Sequence, residues 1–182
     1  MESVLQNEFE SDQRTNFGAG RKNRRKVWRT VSTSCRIEIM NFYIVEPEVA
    51  GGLGEHTLMD RTTQPPTVSK LHYNFDGWIG DVLLESFPCF IATKRAAEEL
   101  KMAHSTGVEF SDVEITKSEQ FRELYPQRQL PEFLWLKVSG KAGTDDFGIH
   151  SDFRLVVSER ILKLFQSQGL KNAIIEPFRP QP

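Results

Sequence analysis

Asp145 and Asp146 stand side by side ahead of Phe147-Gly148, and Asp152 follows in the same polar stretch. Neighbouring carboxylates can share acid and base work or ligate a hard cation. They can equally present a negative patch that steers a basic partner, and Asp and Gly are the residues that a tight turn itself demands. These three roles stay open on the residues alone. A second group lies in Asp76-Gly77-Trp78-Ile79-Gly80-Asp81, where an indole between two glycines either caps the core or is offered to a partner as an aromatic anchor.

Other motifs fail on spacing. The four histidines, His56, His72, His104 and His150, form no pair at metal-ligand spacing, and no cysteine pair completes a zinc site. His150-Ser151-Asp152 is explained by a turn at a strand end. In Gly51-Gly52-Leu53-Gly54 the dinucleotide fingerprint would need a third glycine where Thr57 stands, and the phosphate loop would need lysine where Glu55 stands, so a flexible loop is expected. Gly140-Lys141-Ala142-Gly143-Thr144 lacks the magnesium-binding hydroxyl at Ala142 and is expected to be a hairpin turn. No serine sits in a Gly-x-Ser-x-Gly elbow. The residues thus show no catalytic constellation, and no cofactor or metal is expected.

The 182 residues, 38% hydrophobic and 26% charged, suit one globular domain with a tail. No apolar run reaches the roughly 20 residues of a membrane span and no signal segment opens the chain, so a soluble, cytoplasmic protein is expected. With only Cys35 and Cys89 a disulfide framework is not expected, and Cys89 reads as a small buried hydrophobe. Residues 1–39 hold eight Lys/Arg against five Asp/Glu, whereas the remainder holds fifteen against twenty, a basic tail on an acidic body. That tail is too polar to bury a core and is expected to be disordered, with Met40 as an alternative start. Its run Arg21-Lys22-Asn23-Arg24-Arg25-Lys26 with Trp28 can bind nucleic acid, although a solvated tail accounts for it as well.

The positioning elements follow from periodicity. Met40 to Glu46 opens as a strand, which Ile37 and Ile39 can extend backwards. A loop-rich first third follows, broken by one strand over Val68–Phe75, and Asp81 is placed to cap a helical turn through Val82–Glu85. Phe90-Ile91-Ala92, an N-cap at Thr93, a helix over Lys94–His104, Gly107 and Val108-Glu109-Phe110 form a strand-helix-strand unit. Leu155-Val156-Val157, Ser158, a helix over Glu159–Gln168, Gly169 and Ala173-Ile174-Ile175 repeat it. Each helix carries Arg two residues after its cap, Arg95 and Arg160, where a cation opposes the helix dipole; the recurrence points to a carboxylate partner elsewhere. Between the units, Val113 and Ile115 continue a strand, Thr116-Lys117-Ser118-Glu119 has the form of a capping box, and Pro126 ends the short helix. Phe133–Val138 is a further strand. The expected fold is α+β: a single domain at 40–182, a mixed sheet and a few short flanking helices.

Asn41-Phe42-Tyr43-Ile44-Val45-Glu46-Pro47-Glu48, Leu71-His72-Tyr73 with Phe75-Asp76-Gly77-Trp78, Leu84-Glu85-Ser86-Phe87-Pro88-Cys89-Phe90, Lys117-Ser118-Glu119-Gln120-Phe121, Leu134-Trp135-Leu136-Lys137-Val138, Asp145-Asp146-Phe147-Gly148 and Leu155-Val156-Val157-Ser158-Glu159-Arg160, taken in order, resemble the myxococcal-type immunity proteins of bacterial polymorphic-toxin systems. The resemblance covers residues 40–178. It implies a cytoplasmic protein, not an enzyme, that binds a cognate toxin encoded beside it and blocks it by occlusion. It transfers no site residues. The physical candidates for partner contact are therefore Asp76, Trp78, Asp81, Asp145, Asp146 and Asp152. A small hydrolase or transferase using the Asp145/Asp146 loop, and a nucleic-acid-binding protein working through residues 21–29, are the alternatives.

Overall fold

The computed structural model describes residues 40–179. The basic extension at 1–39, its alternative start, the arm at 21–29 and the extension of the first strand through Ile37 and Ile39 lie outside the described residues.

Two four-stranded antiparallel sheets are built on one plan. The first has the order β6 (Leu83–Ser86), β7 (Cys89–Thr93), β10 (Phe133–Val138), β8 (Val108–Ser111); the second has β11 (Phe147–Ile149), β12 (Leu155–Ser158), β1 (Phe42–Glu46), β13 (Ile174–Pro177). In each, a hairpin leads through a helix to a last strand, and a strand from elsewhere is threaded between. Helix α1 (Lys94–Met102) carries β7 to β8 around β10, and α3 (Glu159–Gln168) carries β12 to β13 around β1.

The registers coincide. Thr93 faces Phe133 as Ser158 faces Phe42, and Phe110 faces Leu136 as Ile175 faces Val45, a constant offset of 65 residues along the hairpin-helix-strand unit. Both helices end on a left-handed residue at that offset, His104 (φ 49°) and Gly169 (φ 120°). The repeat seen in the sequence is thus a repeat of topology. Since β1 precedes the first unit in the chain and β10 precedes the second, the two units have exchanged leading strands.

Burial explains the patterning. All five residues of β7 and all four of β12 are buried, because both faces of each strand are covered and the strand reads as a continuous apolar run. Phe90, Ala92, Leu83 and Leu136 join Val45, Phe147, Leu155 and Val157 of the second sheet around Ala96 and Leu100 of α1 and Ile161, Leu162 and Phe165 of α3. The other face of the first sheet, Leu84, Cys89, Ile91, Phe133 and Trp135, packs on Tyr73, Phe75 and Phe121. Each such large apolar side chain contributes roughly 1.5–3 kcal/mol. Cys89 is the buried hydrophobe expected, its thiol pushed up to about 12 by burial.

Several expectations are corrected. The glycine loop is strand β2 (Gly51–Leu53), paired with β5 (His72–Phe75), which also pairs in parallel with β9 (Glu114–Lys117) to make a mixed sheet. A Cβ on Gly51 would lie 2.1 Å from the Asn74 carbonyl oxygen, so close strand approach, not flexibility, requires the glycine. The loop-rich third also holds the hairpin β3 (Leu58–Asp60) and β4 (Thr67–Lys70), so the strand expected at 68–75 is two strands in two sheets. Leu83–Glu85 belong to β6 rather than to a helical turn, and Phe147–Ile149 is strand β11. Residues 140–144 join strands of two sheets and close no hairpin. Helix α2 (Glu119–Leu124) is capped by the Ser118 hydroxyl, which accepts from Phe121 N–H at 3.2 Å, while Thr116 lies in β9.

Candidate functional site

The structure separates the six candidates. Asp76, Trp78 and Asp81 share one loop; Asp145 and Asp146 precede β11 and Asp152 follows it.

Two are internal clamps and cannot face a partner. Asp81 is fully buried, and its carboxylate accepts from the N–H groups of Lys171 (3.1 Å) and Asn172 (2.9 Å) and from Asn172 Nδ2 (2.7 Å). Asp146, also buried, accepts from Thr106 N–H (2.9 Å), Ser158 Oγ (2.7 Å), Arg160 Nε (2.6 Å) and Arg160 Nη2. Thr106 and Lys171 are again 65 residues apart, so each unit's carboxylate pins the chain leaving the other unit's helix. Burial pushes the Asp146 carboxyl up, but Arg160, Thr106 and Ser158 outweigh it and hold the group below its ordinary value. The carboxylate expected for Arg160 is therefore Asp146.

The remaining four keep some exposure. Asp145 closes its own turn by accepting from Lys141 N–H at 2.8 Å. Trp78 is half-buried against Phe133, donates Nε1–H to the Asp81 carbonyl at 2.9 Å and lies beneath the Arg128 guanidinium. Asp76 is exposed beside it. Asp152 is exposed and held well below the usual carboxylate range, first by its hydrogen bonds from Arg154.

Asp152 belongs to a patch that the sequence left unassembled. The two equivalent hairpins each end in an exposed phenylalanine, Phe87 between β6 and β7 and Phe153 between β11 and β12, and the rings meet edge to face at 5.9 Å. Phe153 has φ 71°, a left-handed conformation that costs a bulky residue about 1–3 kcal/mol. Arg154, next to it, binds Asp152 (2.7 Å), Glu46 (2.9 Å) and Glu176 (3.2 Å). Glu85 adds a fourth carboxylate whose pKa is raised by burial and by Glu46. Four carboxylates against one guanidinium make a net negative cluster that begins at Asp152 and Arg154, on either side of Phe153. Phe87 opens an apolar run in the sequence, and the phase of the hairpin, with Phe87-Pro88 as its turn, places it at the tip.

A groove of about 870 Å³ runs along β9 beside Leu130 to Leu134, and none of the six candidates lines it. Among the described residues no helix is long and apolar enough to cross a membrane. No protein-family model and no curated protein matches the chain.

Proposed function

We propose that this chain is an immunity protein of the type it resembles, a cytoplasmic binding protein that neutralises a cognate toxin by covering a basic surface on it. The observation that carries this reading is the exposed Phe87–Phe153 pair beside the acidic cluster on Arg154. Exposed aromatics held by a strained backbone are costly to the free protein and are the side chains that dominate protein interfaces. A cluster of carboxylates steers and orients a cationic partner, and a toxin that acts on nucleic acid carries a cationic cleft. The hydrolase or transferase alternative needs free carboxylates at 145 and 146, and both are engaged with their own chain.

The test is co-expression with the toxin encoded beside this chain, followed by affinity measurement on the purified pair. Phe87→Ala and Phe153→Ala are expected each to weaken binding by about 30-fold, the equivalent of about 2 kcal/mol at a hot spot, with the fold unchanged by circular dichroism. Full-strength binding by the double variant would remove the hairpin tips from the interface, and absence of any complex or rescue would sink the reading itself.

A further inference from the structure

We propose that His56, His72 and Glu114 form a binding site for a first-row divalent cation, Zn²⁺ by its donor set, with solvent in the remaining position. Sixteen residues separate the histidines in sequence, but among the described residues this is the one group whose donor atoms gather, one from each within 4.8 Å of the others. His72 and Glu114 are cross-strand partners on β5 and β9, and the segment Gly54–Thr57 folds back over them.

The protonation of His72 follows from its partners. His56 N–H can only donate, so His72 Nδ1 accepts it (3.2 Å) and Nε2 carries the proton, given to Thr116 Oγ1 (2.7 Å), which donates onward to Asn74 Oδ1 (2.8 Å). A buried imidazole whose Nε2–H is fixed in this way, with Nδ1 held only by a main-chain N–H that a cation would displace, is the arrangement in which proteins hold a metal-binding histidine. His56 stacks on it at 4.8 Å and brings Nδ1 to 2.6 Å from Glu114 Oε1. Lys70 holds the other oxygen, Oε2, at 2.8 Å, so Oε1 is the ligand atom. Gly54 packs directly on the His72 ring, where a Cβ would fall 2.2 Å from Nδ1 and 2.3 Å from Cε1, so only glycine at position 54 lets the imidazole lie where it does.

A cation takes the place of the proton between His56 and Glu114. Ligand bonds of about 2.0–2.1 Å need donors roughly 3.3 Å apart, which the half-exposed His56 ring meets by turning out of its stack. His56 N–H then goes to water. Two imidazoles and a carboxylate are borderline to hard donors, which suits Zn²⁺ over Mg²⁺ or Ca²⁺.

The site is independent of the partner-binding reading. The test uses the full chain freed of metal with a chelator, titrated with Zn²⁺ by calorimetry and with Co²⁺ by its visible d–d absorption. One equivalent of each is expected to bind, with the intense spectrum of four-coordinate cobalt. His56→Ala and Glu114→Gln are expected to weaken binding at least tenfold while circular dichroism stays native, Thr116→Val to weaken it about tenfold through His72, and Lys70→Ala to strengthen it. No stoichiometric binding by the full chain at 100 times the protein concentration, or binding undiminished in both His56→Ala and Glu114→Gln, overturns the site. A fold lost in one of these two variants leaves the other to decide.

Discussion

The two hairpin-helix-strand units share a backbone and differ in how their polar side chains are wired. Thr93 N–H donates to the Val82 carbonyl as Ser158 N–H donates to that of Asp146, and Lys94 N–H donates to Glu132 as Glu159 N–H does to Asn41. The frame is therefore one set of main-chain bonds made twice. On it, the first unit carries Val82, a threonine that caps its own helix at Ala96 N–H, and an exposed arginine, Arg95. The second carries Asp146, a serine whose hydroxyl turns from the helix to Asp146, and Arg160 docked on that carboxylate. Main-chain bonding fixes the architecture and leaves the side-chain wiring of each unit free to diverge.

Making the second unit like the first should cost most. Asp146→Val leaves Arg160 without its carboxylate and Thr106 N–H without an acceptor. Breaking a buried pair from one side costs about 3–5 kcal/mol, and the low end, about 3 kcal/mol, applies because the Arg160 side chain is 47% exposed. Urea unfolding should show it as a lower midpoint with unchanged slope. Arg160→Ala should cost less, about 1–2 kcal/mol, since the carboxylate keeps Thr106 and Ser158; equal losses from both variants would mean that the guanidinium carries the network. The pH profile follows from the same group. Folding holds the Asp146 carboxyl below its ordinary value, so its contribution is complete above the unfolded value near pH 4 and is lost as pH falls through the folded one. Asp146→Val should flatten that acid limb, and an unchanged limb would place the acid sensitivity elsewhere.

The matching clamp in the first unit should be next. Asp81→Ala frees the N–H groups of Lys171 and Asn172, at about 2–3 kcal/mol for a buried carboxylate with several donors. The loss should be local as well as global: amide exchange at Leu170 to Ala173 should quicken, while that of Ser105 to Gly107, which Asp146 pins, should hold its protection relative to global unfolding. Equal acceleration at both helix exits would refute the crosswise arrangement.

The units were legible in the sequence because each helix is bounded by strong local signals. Thr93 and Ser158 precede them, alternate apolar faces run through them, and α3 occupies the span its pattern requires. Strand exchange was not legible, because nothing local in Phe42–Glu46 or Phe133–Val138 says which hairpin each will enter. The site was harder still. Asp81 and Asp146 look alike with the exposed Asp76 and Asp152 when only residue type is visible, and what separates them is donors arriving from some 90 and 40 residues away. The exposure of Phe87 was equally hidden, since an apolar residue next to a buried strand is ordinarily core. A parallel strand pair brings His72 to Glu114 and a folded-back loop brings His56 to His72, which spacing rules do not register.

The smallest effects test the caps and the spare arginine. Thr93→Ala removes the hydroxyl that accepts Ala96 N–H and should cost about 0.5–1 kcal/mol, additively with any change at Asp146, because the two share no partner. Ser158→Ala should cost a similar amount but lose most of that cost in an Asp146→Val background, where its acceptor is already gone. Arg95→Ala should fall below about 0.5 kcal/mol: the side chain is 81% exposed and its Nε stands 3.9 Å from Glu99, a solvated contact one turn along the helix. Salt should erase even that, while leaving the Arg160 effect largely intact because its partner is buried. If Arg95→Ala instead matched Arg160→Ala, the arginine after the cap would serve both units through the helix itself, and the difference between the two wirings would not be where the stability lies.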